Sequence, residues 1–254
     1  MNIKRHIPNA ITCGNLLCGC LAIVAAFNNN LVWSAYLVGI AAVLDFFDGF
    51  VARILKVGGE MGKQLDSLAD VVTFGVVPGV VMYEFILNYQ VHFTDKSYQI
   101  PNQNLVTFYL YSSYIAFLIP IFSAIRLAKF NIDTRQTSSF IGVPTPANSI
   151  LICSMPLINH FQPTFLGLNI INITNNIYFL ISLTIIMSYL LVAELPLFAL
   201  KFKNFKWADN KIQYVFLISS LLLLIVFHFI AIPIIIFLYI VLSIINNRIT
   251  KNEI

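Results

Sequence analysis

The sequence predicts an all-α polytopic membrane protein of about eight transmembrane helices, and three observations carry that prediction. Of its 254 residues, 59% are hydrophobic and 10% carry a formal charge, whereas soluble domains are roughly a quarter charged. The apolar residues fall into runs of about the 20 residues that a helix needs to cross hydrocarbon. Lysine and arginine concentrate in alternate connections between those runs. The same composition excludes a disordered chain, a secreted disulfide scaffold and a nucleic-acid binder, and the formal net charge of +4 is modest.

The expected spans are 9–27, 31–55, 64–88, 105–128, 145–161, 176–200, 212–230 and 232–246. Lys4 and Arg5 precede the first; Arg53, Lys56 and Lys63 separate the second from the third. Arg126, Lys129 and Arg135 surround the end of the fourth, Lys201, Lys203, Lys206 and Lys211 lie between the sixth and seventh, and Arg248 and Lys251 close the chain. The connections at 28–30, 161–175 and 231 contain no lysine or arginine, and 89–104 contains only Lys96. The positive-inside rule then predicts both termini on the cytoplasmic side. The last two spans are divided only by Ala231-Ile232-Pro233, which suits either a tight hairpin or one long bent element; a seven-span arrangement would place Arg248 and Lys251 outside.

A cleavable signal peptide is the competing reading of the first segment, but Asn9, Thr12 and Asn15 interrupt its apolar stretch and no clean A-x-A site follows. Cys13, Cys18, Cys20 and Cys153 lie within apolar segments without zinc-like spacing, as packed reduced thiols do.

Four of the eleven acidic residues, Asp45, Asp48, Asp66 and Asp70, fall within one short stretch. A carboxylate at membrane depth costs several kcal/mol, about 3 on insertion scales, so such acids mark function by default. Asp45 and Asp48 share one face of the second span at i, i+3, and Asp66 and Asp70 one face of the third at i, i+4. A short loop between antiparallel neighbours would bring both pairs to one depth, where mutual repulsion calls for cations. All-oxygen ligation selects Mg²⁺, Mn²⁺ or Ca²⁺, and a metal cluster under basic loops suits a diphosphate-containing substrate. The plainer alternative pairs these acids with Arg53, Lys56 and Lys63 as a solvated interfacial loop. Gly49 and Ala52 are small enough to admit a flat group such as a nucleotide base. Arg53 is a candidate phosphate clamp, and Gly58, Gly59 and Gly62 allow a tight connecting loop that presents N–H groups to an anion.

The string from Asp45 to Asp70 reads D-x2-D-G-x2-A-R-x8-G-x3-D-x3-D. It resembles, without departure, the signature of the CDP-alcohol phosphatidyltransferases. Further stretches are similar to the membrane-embedded bacterial phosphatidylserine synthases within that family: Pro8-Asn9 through Thr12, Asn15-Leu16, Leu65 through Gly75 with Pro78, Arg126 through Asn131, and Gly142 through Pro146. The resemblance implies one integral membrane domain over 1–254, with a six-helix core over about 8–200 and two added helices over about 212–246. It implies a homodimer in the bacterial cytoplasmic membrane, with an active site facing the cytoplasm and two Mn²⁺ or Mg²⁺ ions held by Asp45, Asp48, Asp66 and Asp70. CDP-diacylglycerol would meet Gly49, Ala52, Arg53, Gly59 and Gly62, with Asn9 and Thr12 lining the nucleotide pocket or, equally, packing helices. Asp70 would be the general base towards L-serine. Arg126, Lys129 and Arg135 would bind the serine carboxylate, or else serve only as positive-inside anchors. The rivals are a phosphatidylglycerophosphate or phosphatidylinositol synthase of the same family and, from another class, a divalent-cation transporter.

Overall fold

A computed structural model describes residue 4 and residues 6–96, 111–133, 139–198, 207 and 210–252. Among these residues, five helical stretches are long and apolar enough to cross a membrane: His6–Phe27, Leu31–Ile54, Glu60–Leu87, Tyr111–Ile132 and Lys211–Asn247.

Helices α1 (His6–Phe27) and α2 (Leu31–Ile54) form an antiparallel pair. Their buried stripes recur every three or four residues and are mostly small: Thr12, Asn15, Gly19, Ala22 and Ala26 on α1; Ser34, Ala35, Val38 and Ala41 on α2. Small residues let helix backbones approach closely where lipid removes the hydrophobic drive to associate. The turn between them uses a left-handed Asn29 (φ 58°), and the Trp33 N–H donates to Asn30 Oδ1 at 3.2 Å as an N-cap.

The connection to α3 (Glu60–Asp70) turns differently from the sequence expectation. Its left-handed residue is Lys56 (φ 52°), while Gly59 is extended. The Val57 N–H reaches back to Ala52 O at 3.0 Å and the Lys56 N–H to Arg53 O at 3.2 Å. That closure requires a left-handed residue just past the helix end, and the position falls on Lys56. After Asp70 the helix widens into a π segment, Val71–Val76, before continuing as α4 (Val77–Lys96). Pro78 lacks an N–H and crowds the carbonyl four residues back, a mismatch that a π turn absorbs.

A 3₁₀ turn, Tyr114–Phe117, leads into α5 (Leu118–Ile132). This helix continues past the expected end at 128, so Arg126 and Lys129 are helical; Lys129 is in its last turn. Residues 105–110 of the expected span lie outside the described residues. Helix α6 (Thr145–Phe161) coincides with the expected fifth span and is buried on every side from Leu151 to Ile158, the mark of a central helix. Beyond it come a small hairpin of β2 (Thr164–Phe165) and β3 (Leu168–Asn169), short α7 (Ile170–Thr174), and α8 (Ile177–Val192), capped by Asn176. The sixth span was expected to reach 200, but it stops at Val192. Leu195 precedes Pro196, a position biased away from helix, and Pro196–Phe198 forms β4, antiparallel to β1 (Ser139–Ile141).

The final two helices, α9 (Lys211–Phe227) and α10 (Ala231–Asn252), form a hairpin. The Phe216 and Tyr239 rings stand 5.5 Å apart, although one continuous helix would separate residues 23 apart by about 35 Å. The break falls at His228 (φ 49°) and the 3₁₀ turn His228–Ile230, ahead of the expected Ala231-Ile232-Pro233. Pro233 sits in the first turn of α10, where its missing N–H costs nothing. Tyr239 fixes the hairpin to β4, stacking edge-on against Phe198 at 4.9 Å and donating its hydroxyl to Phe198 O at 2.8 Å.

The helix ends gather in two groups. At one end Lys63 Nζ donates to Asn131 O at 2.8 Å, β1 pairs with β4, and Asn247 Nδ2 donates to Pro196 O. At the other, Gln162 Nε2 donates to Phe227 O and the Ile230 N–H to Gln162 Oε1, both at 3.1 Å. Arg53, Lys56, Lys63 and Lys129 therefore share an end, as the alternation of basic residues requires.

Candidate active site

The four aspartates converge where α2, α3 and α1 meet. One carboxylate oxygen from each of Asp45, Asp48 and Asp66 lies within 4.8 Å of the others. Asp45 is also within hydrogen-bonding reach of both Asp66 and Asp70, so it is the hinge between the three-carboxylate set and Asp70. Helix α1 holds both pairs with neutral donors spaced i, i+3. Thr12 Oγ1 donates to Asp48 Oδ2 at 2.6 Å, much closer than its alternative acceptor Pro8 O at 3.1 Å, and Asn15 Nδ2 donates to Asp70 Oδ1 at 3.3 Å. Thr73, within the π segment, anchors Asn15 by donating to its carbonyl at 3.3 Å. The π segment thus begins at the residue after Asp70 and carries the support of its hydrogen-bond donor. π turns are frequent at functional sites.

Carboxylates this close repel by about 4 kcal/mol per pair at an effective dielectric near 20. An oxygen-only donor set under that repulsion fits hard divalent cations. The residues present therefore suit the metal that the sequence implies.

A cavity of about 690 Å³ opens beside the cluster. Of the residues expected at the nucleotide, Asn9, Thr12, Gly49, Ala52, Gly59 and Gly62 all line it, with Asp48 and Asp66 in its wall. Arg53 does not; it is exposed on α2, with Nε donating to its own Gly49 carbonyl at 3.0 Å. Among the described residues, Lys63 is the lysine that lines this cavity. Its ammonium is steadied by Asn131 O, while Asn131 Nδ2 donates to Ser67 Oγ at 2.8 Å and Ser67 Oγ to Lys63 O at 3.1 Å. This loop of hydrogen bonds ties α3 to the end of α5. Sequence reasoning singled out neither Lys63 nor Asn15 as a site residue. Lys63's place beside Gly62 in the signature was the available signal; Asn15 had only its i, i+3 relation to Thr12.

Arg126 and Lys129 sit elsewhere, lining a second cavity of about 340 Å³ with Asp133 and Glu194. Arg126 is buried (6% exposed); its Nη1 donates to Thr145 Oγ1 at 2.9 Å, and its guanidinium lies 5.8 Å from the Phe130 ring. Its Nε has no hydrogen-bond partner among the described residues, and it is within electrostatic reach of Asp70. Arg135 lies outside the described residues.

Residues 5–174 match the family model described as CDP-alcohol phosphatidyltransferase. The chain is 33% identical over 202 residues to the CDP-diacylglycerol–serine O-phosphatidyltransferase of Bacillus subtilis (strain 168), a match covering 80% of this chain and 92% of that one. It is 33% identical over 155 residues to the enzyme of the same name from Helicobacter pylori (strain J99), covering 60% of this chain and 58% of that one. It is 27% identical over 160 residues to the archaetidylserine synthase of Methanothermobacter thermautotrophicus, covering 61% and 60%. With the aspartate quartet, its neighbouring cavity and these matches in agreement, the chain belongs to the CDP-alcohol phosphatidyltransferase family.

Proposed function

We propose that this protein is a phosphatidylserine synthase, transferring the phosphatidyl group of CDP-diacylglycerol to the hydroxyl of L-serine and releasing CMP. The observation that carries the reading is the meeting of Asp45, Asp48 and Asp66 with Asp70 at the edge of a cavity lined by the nucleotide-side residues of the signature. The relatives' names supply the acceptor.

Asp45, Asp48, Asp66 and Asp70 would hold two divalent ions, Mn²⁺ or Mg²⁺. When bound, the metal supplies charge neutralisation and polarisation at the phosphoryl group under attack. The chain's own residues supply the rest. Gly49 and Ala52 leave room for the cytidine, while Lys63 offers a fixed positive charge to a departing phosphate. Asp70 takes the hydroxyl proton as the serine oxygen forms its bond to the phosphorus bearing diacylglycerol and the bond to CMP breaks. Asp70 suits that role because it stands beside the three-carboxylate set, oriented by Asn15. Arg126 holds the serine carboxylate. Both termini and the site lie on the cytoplasmic side in this reading, supported by the basic residues gathered at that end. The enzyme works as a homodimer in the bacterial cytoplasmic membrane, with the acyl chains left in lipid.

Membranes given CDP-diacylglycerol, Mn²⁺ and each labelled acceptor in turn should incorporate serine. Incorporation of only glycerol 3-phosphate or inositol would overturn the acceptor assignment, and metal flux without CMP release would overturn the enzyme reading.

A second outcome follows from the glycines. Among the described residues, a Cβ on Gly49 would meet nothing within 4 Å, whereas one on Gly19 would clash with Thr73 Oγ1. Gly49→Val should therefore leave thermal stability nearly unchanged while raising the KM for CDP-diacylglycerol by roughly tenfold, as lost room for the nucleotide costs binding. Gly19→Ala should instead lower stability, by about 1–3 kcal/mol for an overpacked contact. Thermal unfolding and initial-rate kinetics on both variants check this contrast.

A further inference from the structure

The second cavity carries charges of both signs. Its buried wall holds Arg126, whose Nε has no hydrogen-bond partner among the described residues although Arg126 is only 6% exposed. A buried guanidinium N–H without an acceptor is destabilising unless something fills the place. Its exposed side holds Lys129 and Glu194, with half-buried Asp133 beside them. Glu194 is presented by a rigid frame. It is the central residue of a tight turn in which the Leu195 N–H donates to Ala193 O at 2.7 Å, and the Gly142 N–H ties Leu195 O to the end of β1 at 2.9 Å. Asp133 caps α5, its N–H donating to Lys129 O at 2.9 Å.

A site for a phosphorylated acceptor gathers cations and keeps acids away from the anion. This cavity instead has two acids, Asp133 and Glu194, in its lining beside an arginine and a lysine. At about 340 Å³ it has room for a small polar molecule and not for a nucleotide-linked lipid head. We propose that it is the acceptor subsite for a zwitterionic amino acid, in which Glu194 and Asp133 bind the α-ammonium and thereby set specificity. The inference rests on the reading above that Arg126 receives the carboxylate. The arms of an amino-alcohol acid then part: carboxylate to Arg126, ammonium to the rim, and the hydroxyl left for the base.

The test uses the full chain in mixed micelles with CDP-diacylglycerol and Mn²⁺. It compares Glu194→Gln, the double variant Glu194→Gln/Asp133→Asn, and Arg126→Gln. 3-Hydroxypropionate, which is serine without its ammonium, serves as a competing inhibitor. The double variant should raise the serine KM at least about tenfold while the KM for CDP-diacylglycerol stays within twofold, and inhibition by 3-hydroxypropionate should be unchanged; Glu194→Asp should recover part of the serine affinity. An unchanged serine KM, or equal losses for serine and 3-hydroxypropionate, would overturn the ammonium assignment. So would a parallel rise in both substrates' KM values. Arg126→Gln separates the two claims, since it should weaken serine and 3-hydroxypropionate alike. If it weakened neither, the carboxylate reading would fail whatever the acidic variants do.

Discussion

Asp70→Asn is expected to lower kcat by about a thousandfold, within the range that a positioned general base contributes, while leaving the protein folded. The asparagine that replaces it keeps an oxygen to accept the Asn15 Nδ2 hydrogen bond, which reaches Asp70 Oδ1 at 3.3 Å. Volume and packing next to the π segment are preserved, and Asp45, Asp48 and Asp66 remain to hold metal, so at saturating Mn²⁺ the KM for CDP-diacylglycerol should change little. Loss of kcat with KM nearly constant is the signature of an interaction made only in the transition state. Activity within tenfold of wild type would remove Asp70 from the role of base.

Asp45→Asn is expected to lower turnover and, without metal, to raise stability. Asp45 lies against Asp48, Asp66 and Asp70, so its removal strips one ligand from the proposed metal site and breaks the link to the base. Turnover at low Mn²⁺ should fall by about a hundredfold or more, with partial recovery as the metal concentration is raised. In chelator the sign reverses. Three close carboxylates without a cation destabilise the fold, and neutralising the central one relieves repulsion of about 4 kcal/mol per pair before solvent and proton uptake reduce it. The metal-free variant should therefore unfold at a higher temperature than the metal-free wild type, and Mn²⁺ should raise the wild-type midpoint more than the variant's. Equal metal responses in the two proteins would argue against a shared site.

Much of this site was legible in the sequence because its information is local. Asp45 with Asp48, and Asp66 with Asp70, declare a common helical face by spacing alone, and the shortness of the loop brings both pairs to one depth. Asn9, Thr12, Gly49, Ala52, Gly59 and Gly62 were expected at the nucleotide from their small or polar side chains and from the family resemblance, and all six line one cavity. What was not legible depends on partners distant along the chain. Arg53 and Lys63 are both cations near the signature, and only the rotation of α2 decides that Arg53 turns to its own Gly49 carbonyl while Lys63 faces the cavity. Asn15 looks like any polar residue in an apolar helix until α3 brings Asp70 beside it. The early stop of α8 at Val192 depends on β4 pairing with β1, residues more than fifty positions away. The hairpin of α9 and α10 could not be told from a bent helix until Phe216 met Tyr239. Apolar periodicity reports that a helix exists and says little about where a long apolar run folds back.

The most direct test of the account is the anomalous scattering of Mn²⁺ in crystals grown with CDP-diacylglycerol. The account predicts Mn²⁺ peaks between α2 and α3, bounded by carboxylate oxygens from both helices, with the diphosphate of the lipid nucleotide on the same ions. Manganese found elsewhere, with Asp45 and Asp48 turned away from Asp66 and the nucleotide outside the cavity beside Gly49, would contradict it.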